Sequence, residues 1–201
     1  MYARVGKSVV DRLLALIAVV VLTPLLLLVA VVLTASLRGN PIFVQARGGF
    51  RGTVFRIVKF RTMTNEVDAN GVLKSDAERL TRVGRFTRRL SLDELPQLVN
   101  VLKGDMSLIG PRPILTDYLP IYTERERHRH DVLPGITGLA QVNGRNTLTW
   151  KARFEYDLYY VENVSLMLDL KIVLMTVRNV LSGKGVDQDQ GTTMTRYNGH
   201  N

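Results

Sequence analysis

The chain contains no cysteine among its 201 residues, which excludes disulfide bonds, a thiol nucleophile and cysteine-ligated metals. It also lacks the glycine-rich phosphate motifs GxGxxG and GxxxxGKS/T, which argues against a dinucleotide-dependent or nucleotide-powered enzyme. Histidine occurs only three times. His128 and His130 are two residues apart and would face different directions on a helix, so we predict no metal site there. Nothing resembles a serine or cysteine triad.

Positive charge is in excess, with 27 Lys and Arg against 18 Asp and Glu and a formal net charge of +9. Such an excess indicates an anionic partner, which can be nucleic acid, a phosphoester substrate or a lipid headgroup. The hydrophobic fraction of 46% excludes a disordered chain. The length allows one ordinary domain with an appendage.

An uncharged apolar run extends from Leu13 to Leu37. At about 1.5 Å per residue it would reach roughly 37 Å as a straight helix, enough to cross a hydrocarbon layer of about 30 Å. Pro24 near its centre cannot donate to the carbonyl of Val20, so we expect a kink, and the Thr23 hydroxyl can satisfy a freed carbonyl. Basic residues on both flanks favour two cytoplasmic ends. The residues leave a kinked span and a re-entrant hairpin open as equal alternatives.

The rest of the chain predicts a mainly helical domain with a little sheet. We expect a hairpin over 42–64, a surface loop over 65–75, a basic helix from Asp76 to Leu90, a helix over 92–103 ending near Gly104, a hairpin over 139–150 with a type I′ turn at Asn143-Gly144, and helices near 151–160 and 166–181.

Two adjacent carboxylates, Asp93 and Glu94, follow the basic helix. One interpretation is structural, since Ser91-x-x-Glu94 matches a capping box and acidic residues are favoured at a helix start. The other is chemical: beside a row of arginines, one carboxylate can act as a nucleophile and the other can hold a divalent cation. A carboxylate is already ionised at neutral pH, so this nucleophile needs no separate base. Taken alone, the pair fits the capping interpretation slightly better.

Three basic residues are candidates for phosphate contacts. Arg112 lies between Pro111 and Pro113, which favour a pre-organised guanidinium that can bind a phosphate bidentately. Lys59 lies in the second predicted strand, and Arg145 lies beside the predicted Asn-Gly turn. For each of the three, a solvated surface position is the alternative.

Asp169 occupies an unusual position in its predicted helix. At about 100° per residue it lies on the same side as Val173 and Val180, which is the apolar side. A buried carboxylate needs a partner. Asp169 is therefore either half of a structural ion pair or a residue that lines a pocket.

Five segments, in this order, resemble those of the small monotopic phosphoglycosyl transferases of the bacterial sugar transferase family. They are KSVVDRLLAL with the proline that follows it, VKFRTM, LSLDELPQLVNVLKGDMSLIGPRP, PGITGLAQVNGRN and YDLYYVENVSLMLDLKIV. They cover nearly the whole chain, and their combination is far more specific than any single segment. The stretch RHRHDVLPGITGLAQVNGRN is especially similar to the family member of the bacterial N-glycosylation pathway.

The resemblance implies an α+β fold, mainly helical with small β-hairpins. It implies a re-entrant membrane helix over residues 1–37, broken at Thr23 and Pro24, and a cytoplasmic catalytic domain over residues 38–201. It implies a monotopic location at the cytoplasmic face of the bacterial inner membrane.

The resemblance also implies a ping-pong reaction. Asp93 corresponds to the family's nucleophile and Glu94 to its Mg²⁺-associated acid. Asp93 attacks the sugar-proximal phosphorus of a UDP-sugar, UMP leaves, and the phosphosugar passes from the aspartyl intermediate to polyprenol (undecaprenyl) phosphate. By the same resemblance these residues lie in or near the active site: Lys59, Arg88, Arg112, Gln141, Arg145 and Asp169.

The implied donor is UDP-N,N′-diacetylbacillosamine or a similar N-acetylated sugar, with a glucose- or galactose-type donor as the alternative. The implied partners are the UDP-sugar, polyprenol phosphate and membrane lipid, without nucleic acid, at the first membrane step of glycoconjugate assembly. Two other classes compete with this interpretation. One is a membrane-tethered basic protein that binds nucleic acid or anionic lipid without catalysis. The other is a hydrolase that uses Asp93 as a phosphatase-type nucleophile.

Overall fold

The computed structural model describes residues 2, 6–144, 147–182 and 196–199. Within these ranges the fold is mainly helical with two small sheets, as predicted. The helices are α1 (Lys7–Leu37), α2 (Asp76–Arg79), α3 (Arg82–Arg89), α4 (Leu98–Lys103), α5 (Glu124–Arg127), α6 (Leu139–Val142), α7 (Trp150–Glu162) and α8 (Leu166–Ser182). The strands are β1 (Ile42–Gly48), β2 (Val54–Phe60), β3 (Ser107–Ile109) and β4 (Gly135–Thr137).

The apolar run forms one helical element, α1, that continues through Pro24. Thr23 donates its hydroxyl to the carbonyl of Val19 at 2.6 Å and not to the Val20 carbonyl, which is the one that Pro24 leaves without a backbone donor. We expected a break at Thr23 and Pro24 that divides this run into two helices. The structure has one helix there, from Lys7 to Leu37. Within the described part of the chain, α1 is the one helix long and apolar enough to cross a membrane.

Both halves of α1 pack against the rest of the chain. The first half contributes Ala15 to a cluster with Ile57, Leu98, Val101 and Met106. The second half contributes Val29 and Leu33 to a cluster with Phe60. The opposite side of the helix is bare, and Val20 and Val21 expose 67% and 68% of their surface. The helix thus lies along the domain and presents one long apolar face outward.

The predicted hairpin over 42–64 is confirmed, because β1 and β2 pair antiparallel from Ile42↔Phe60 to Gly48↔Val54. The second sheet differs from the prediction of hairpins: β3 and β4 pair in parallel, with Ser107 opposite Gly135. Parallel strands need a crossover connection of about a dozen residues or more, and the long segment between β3 and β4 provides one.

The predicted hairpin over 139–150 is wrong. Residues Leu139–Val142 form α6, and Asn143 has a φ of −99°, whereas a type I′ turn requires positive φ at both central residues. Leu139 and Val142 are buried against Tyr160 of α7 and Ile172 of α8. Burial of this short apolar face outweighs the local Asn-Gly signal.

The single basic helix predicted from Asp76 to Leu90 is two helices, α2 and α3. Leu80 between them is extended, with φ −72° and ψ 110°, and forms an isolated bridge to Met63. Thr81 then caps α3 by accepting from the Gly84 N–H at 2.9 Å. The helix over 92–103 is confirmed in outline, as a 3₁₀ segment (Leu92–Gln97) followed by α4, which ends at Gly104 with φ 87°.

The helices predicted near 151–160 and 166–181 are confirmed as α7 and α8. An aromatic cluster packs on α7 and includes Tyr197 from near the end of the chain. Its members are Ile114, Tyr118, Tyr122, Trp150, Phe154 and Tyr197. No residue of α1 belongs to this cluster.

Candidate active site

The adjacent carboxylates lie in the 3₁₀ segment that links α3 to α4, directly after Ser91. Ser91 has a positive φ of 55° and its side chain makes no capping hydrogen bond, so the capping-box interpretation is wrong. The Glu94 side chain instead bonds to cations on two distant elements. A positive φ costs free energy in a non-glycine residue, and here it directs the carboxylate pair away from the helix end.

Glu94 is held by two cations at one carboxylate oxygen. Its Oε1 accepts from Lys59 Nζ at 3.1 Å and from Arg112 Nη2 at 2.7 Å. Burial alone would raise the pKa of Glu94, but attraction to Arg112 and Lys59 and their hydrogen bonds outweigh it and hold that pKa well below its usual range. Glu94 is therefore a fixed negative charge throughout the physiological pH range.

Asp93 has a different environment from its neighbour. Burial, with added repulsion from Glu94, raises the pKa of Asp93 to about 6, while Lys59, Arg88 and Arg112 oppose the shift. At pH 7 the carboxylate is still about nine-tenths ionised. Among the described residues no hydrogen bond to the Asp93 carboxylate is found. A partly buried, ionised carboxylate among cations is a suitable nucleophile.

Arg88 is positioned by the close approach of α3 to the end of β2. Its Nε donates to the Thr62 hydroxyl at 2.8 Å. Gly84, one turn earlier, lies so close to Thr62 that an added Cβ would collide with the Thr62 carbonyl oxygen. The absence of a side chain at Gly84 therefore allows the approach that brings Arg88 beside Asp93.

Arg112 is positioned through its own backbone. The guanidinium of Arg129 donates to the Arg112 carbonyl at 2.7 Å and to the Asp157 carboxylate at 2.7 and 3.0 Å. Arg129 and Asp157 are almost completely buried. This ion pair fixes the loop between the two prolines, so the predicted pre-organised guanidinium of Arg112 has its structural basis.

Two residues that support the site were missed by the sequence reasoning, namely Arg129 and Asp157. Asp157 did carry a signal, because at about 100° per residue it lies on the same side of its helix as Trp150 and Phe154. Arg129 carried none, since it is one basic residue among many in the sequence.

The remaining predicted site residues lie elsewhere or cannot be placed. Gln141 is buried and donates to the Ile136 carbonyl at 2.9 Å. Asp169 is 3% exposed and pairs with Lys7 at 2.7 Å, so the ion-pair interpretation from the helical wheel is confirmed. Neither side chain bonds to Asp93 or Glu94 in the described part of the chain. Arg145 lies outside the described residues.

The site suits a magnesium ion that binds together with a phosphate. No group of three or more histidine or acidic side chains forms a metal cage in the described residues. Mg²⁺, however, commonly binds through one or two carboxylates and the substrate's phosphates, and keeps several waters. Both cations bind Oε1 of Glu94, which leaves Oε2 for a metal beside the Asp93 oxygens.

Comparisons with known proteins show the family to which the chain is similar. The profile of the Bacterial sugar transferase family matches residues 2–183. The "Uncharacterized sugar transferase EpsL" of Bacillus subtilis (strain 168) is 56% identical over 162 residues, which cover 80% of this chain and 80% of that protein.

Two longer relatives carry names that state a reaction. A "UDP-glucose:undecaprenyl-phosphate glucose-1-phosphate transferase" of Xanthomonas campestris pv. campestris is 42% identical over 194 residues, 91% of this chain and 40% of that protein. A "UDP-N-acetylgalactosamine-undecaprenyl-phosphate N-acetylgalactosaminephosphotransferase" of Aeromonas hydrophila is 42% identical over 188 residues, 89% of this chain and 44% of that protein. With the family profile covering nearly its whole length, the chain belongs to the bacterial sugar transferase family.

Proposed function

We propose that the protein is a phosphoglycosyl transferase that moves a phosphosugar from a UDP-sugar to polyprenol phosphate and releases UMP. The observation that carries the proposal is the partly buried Asp93–Glu94 pair with Lys59, Arg88 and Arg112 around it. Phosphoryl transfer depends on positioning and on neutralising the charge of the phosphates. The names of the longer relatives state the same type of reaction.

Asp93 is the proposed nucleophile of a two-step reaction. One of its oxygens forms a bond to the phosphorus next to the sugar, and the bond from that phosphorus to the bridging oxygen breaks, so the electron pair leaves on UMP. A phosphate oxygen of the polyprenol phosphate then attacks the same phosphorus. The bond to Asp93 breaks in this second step, which regenerates the carboxylate.

The neighbouring side chains have distinct proposed roles. Arg88 and Arg112 neutralise the phosphate oxygens around the reacting phosphorus. Lys59 and Arg112 hold Glu94 in place, and the outward oxygen of Glu94 is the proposed ligand of Mg²⁺. When bound, the ion would neutralise charge on the phosphates and so reduce the repulsion between the phosphates and the Asp93 carboxylate.

The membrane location supports the same proposal. A helix that crossed a bilayer upright would carry one half away from a domain on the other side, yet both halves of α1 pack on this domain. α8 exposes a further apolar stripe that includes Leu170, Leu174 and Leu181. These surfaces favour a monotopic, re-entrant attachment at the cytoplasmic face of the inner membrane, where a lipid phosphate and a soluble UDP-sugar can meet.

The identity of the sugar on the UDP donor is a separate, more specific part of the proposal. The resemblance favours an N-acetylated sugar, whereas one relative is named for glucose and another for N-acetylgalactosamine at the same 42% identity. We therefore retain an N-acetylated donor as the first candidate and a hexose donor as the second. A panel of UDP-sugars assayed for UMP release decides between them.

The test is UMP release from that panel, with and without polyprenol phosphate and Mg²⁺, by the wild type, Asp93→Asn and Asp117→Asn. Asp117 is an exposed aspartate and serves as the matched control. We expect sustained turnover only with the lipid phosphate, its loss in Asp93→Asn and its retention in Asp117→Asn.

Two results would favour the competing classes. Continued release of free sugar phosphate without polyprenol phosphate would show a hydrolase. No UMP from any donor, together with salt-sensitive lipid or nucleic-acid binding that Asp93→Asn leaves unchanged, would show a binding protein.

A further inference from the structure

An open cleft lies between the C-terminal end of α1 and the segment that follows β2. It has a volume of ≈ 580 Å³ and adjoins a smaller cavity of ≈ 190 Å³. Both are lined by Leu37, Arg38, Thr64 and Asn65, so they belong to one continuous depression in the surface. The proposed chemistry uses none of the residues that line this cleft.

Two arginines in the cleft lack a partner. Arg38, the residue after α1, is exposed, and Arg61, the residue after β2, is half-buried. Neither guanidinium has a hydrogen bond or an ion pair with any residue that the structure describes. The one acidic side chain among the described lining residues is Glu66, which pairs with Lys74 at 3.0 Å. The cleft therefore carries an excess of positive charge, which attracts an anion.

The cleft also contains neutral hydrogen-bond donors. Asn40 lines its smaller part, and the Asn40 Oδ1 accepts from the Ile42 N–H at 2.8 Å, which leaves the NH₂ group of this side chain available. The Thr64 hydroxyl is buried and has no hydrogen-bond partner within the described ranges. Hydroxyl, amide and guanidinium groups all donate to phosphate oxygens. The lining therefore suits a phosphate, which can accept from several donors at once.

The end of α1 opposes an anion, but only weakly. The C-terminus of a helix is equivalent to roughly half a negative charge, and its effect falls off within the last turn. Here the Thr34 carbonyl already accepts from the N–H groups of Arg38 and Gly39, so part of that charge is neutralised. The two guanidiniums contribute two full positive charges. Attraction to an anion therefore prevails in the cleft.

Exposed aliphatic side chains lie on both segments that form the cleft. Val31, about two turns before Arg38, exposes 67% of its surface. In the loop that follows Asn65, Val72 and Leu73 expose 62% and 54%. Arginines next to exposed aliphatic residues suit the boundary of a membrane, where headgroups and acyl chains meet. The location thus favours a lipid phosphate over a soluble one.

From this arrangement we propose that the cleft binds the phosphate of an anionic phospholipid, with Arg38 and Arg61 as its cationic contacts. The inference rests on the membrane attachment within the proposed function and adds a lipid-binding site to it. A headgroup bound there holds the end of α1 at the level of the lipid phosphates. An anionic lipid is favoured over a zwitterionic one, because the arginines repel the cation of a choline headgroup.

Polyprenol phosphate is the other lipid phosphate that the proposed reaction uses. Its phosphate has to reach the phosphorus carried by Asp93. The two cleft arginines bond to neither Asp93 nor Glu94 in the described part of the chain. We therefore assign the cleft to a phospholipid that stays bound throughout the reaction.

The first experiment measures lipid binding to the purified full chain in detergent by native mass spectrometry. Phosphatidylglycerol, phosphatidylcholine, polyprenol phosphate and inorganic phosphate are titrated separately. We compare the wild type with Arg38→Gln/Arg61→Gln and with a control that loses the same charge, Arg125→Gln/Arg127→Gln. The two control arginines are exposed on α5.

Removal of both cleft arginines should weaken phosphatidylglycerol binding about 25-fold, which is about fivefold for each. The preference of the wild type for phosphatidylglycerol over phosphatidylcholine should fall by a similar factor. Polyprenol phosphate binding should stay within about twofold of the wild type. Inorganic phosphate should bind far more weakly than the phospholipid, and the control should bind every ligand as the wild type does.

Arg38→Gly tests the same contact without a cost to the fold. Arg38 has a positive φ of 50°, which glycine adopts without strain, so this variant should melt no earlier than the wild type. It should still bind phosphatidylglycerol about fivefold more weakly. Arg61→Lys should keep the affinity within about twofold, because lysine retains the charge that attracts the lipid phosphate.

Phosphatidylglycerol affinities within about twofold of the wild type in Arg38→Gln/Arg61→Gln and Arg38→Gly would overturn the inference. An equal loss in the control would also overturn it, because net charge alone would then explain binding. An equal loss of polyprenol phosphate binding would assign the cleft to the acceptor, and displacement of the phospholipid by an equal concentration of inorganic phosphate would assign it to a soluble anion.

The proposed function fails separately from this inference. Asp93→Asn should lose turnover and bind phosphatidylglycerol as the wild type does. If the wild type releases no UMP from any donor and yet binds phosphatidylglycerol through both arginines, the lipid site stands and the transferase proposal does not.

Discussion

Asp169 anchors the start of the membrane helix, and its replacement gives the most quantitative test of the fold. Its Oδ2 accepts from Lys7 Nζ at 2.7 Å and from the Tyr2 hydroxyl at 2.6 Å, and its Oδ1 accepts from Tyr160 at 2.7 Å. Lys7 also lies 3.4 Å from Asp11. Asp169→Asn keeps the size of the side chain and removes the charge that this network surrounds.

The burial of the Lys7–Asp169 pair sets the size of the stability loss expected in Asp169→Asn. Lys7 and Asp169 expose 11% and 4% of their side chains, and removing one partner of such a pair costs about 3–5 kcal/mol because the other charge stays buried. Lys7 retains Asp11, and asparagine can still accept from a hydroxyl, so we expect about 3 kcal/mol, at the lower end of that range. For a chain of this length that corresponds to a melting temperature lowered by roughly 6–12 °C.

The assay is thermal unfolding in lipid nanodiscs, with UMP release measured at a temperature where both proteins are folded. The control is Glu155→Gln, which breaks the pair with Arg125 at the same 2.7 Å distance but with side chains 47% and 68% exposed. An exposed pair contributes about 0–1 kcal/mol. Adding Lys7→Met to Asp169→Asn should lower stability further, since the buried carboxylate of Asp11 then loses the cation that lies 3.4 Å away.

Two results would refute this reasoning. If Asp169→Asn melts no earlier than Glu155→Gln, burial does not make this pair strong. If Asp169→Asn keeps its melting temperature and loses turnover, Asp169 acts in the active site, as the resemblance implies, and the ion pair is secondary.

Three further predictions concern other parts of the molecule. Gly84→Ala should lower stability by about 1–3 kcal/mol, because the new Cβ collides with the Thr62 carbonyl, and should reduce turnover about tenfold by displacing the arginine one turn later. Burial lowers the pKa of His130 to about 4. Unfolding therefore takes up a proton at His130 below pH 6.5. The stability that His130 contributes, measured by denaturant titration as wild type minus His130→Asn, should fall by about 1.4 kcal/mol per pH unit from pH 6.5 down to 4, whereas the raised pKa of Asp93 acts in the opposite direction in both proteins. Single cysteines at Val5 and at the exposed Arg51 should both react with an impermeant maleimide only from the cytoplasmic side, in a chain without native cysteine.

Each of these predictions has its control and its contradicting result. A Cβ at Gly39 would meet only the Leu37 carbonyl oxygen, at an ordinary contact distance of 3.9 Å. Gly39→Ala should therefore leave stability and turnover unchanged, and an equal loss in both glycine variants would contradict the packing argument. His130→Asn can still donate to the Gly49 carbonyl, which His130 contacts at 2.8 Å, and serves as the reference protein; an equal pH dependence of stability in the two proteins would contradict the assignment to His130. Labelling of the two cysteines from opposite sides of the membrane would show that α1 spans it.

Local patterns in the sequence predicted the elements whose stability is local. The β1–β2 hairpin, α7 and α8 follow from alternation and helical periodicity, and Gly104 ends α4 as its position indicates. The helical periodicity placed Asp169 correctly on the buried side of its helix. It could not identify Lys7 as the partner, 162 residues away, because a local pattern does not specify a long-range pair.

The wrong predictions share one physical cause, which is that distant contacts override a local signal. Asn143-Gly144 is a strong turn motif, yet α6 forms because Leu139 and Val142 are buried between two later helices. Ser91 and Glu94 match a capping box, yet the glutamate bonds to Lys59 and Arg112 instead. The failure of the capping pattern is itself informative, because the Glu94 side chain serves the site and not the helix end.

The central claim is that Asp93 carries the phosphosugar between the two substrates. The most direct test incubates the protein with a UDP-sugar labelled at the sugar-proximal phosphate, without polyprenol phosphate, and measures protein-bound label and UMP after a rapid quench. We predict about one equivalent of label on Asp93, an equal amount of UMP, and discharge of the label when polyprenol phosphate is added. Brisk turnover with both substrates present, but no label on Asp93 and no UMP before the acceptor is added, would contradict the account.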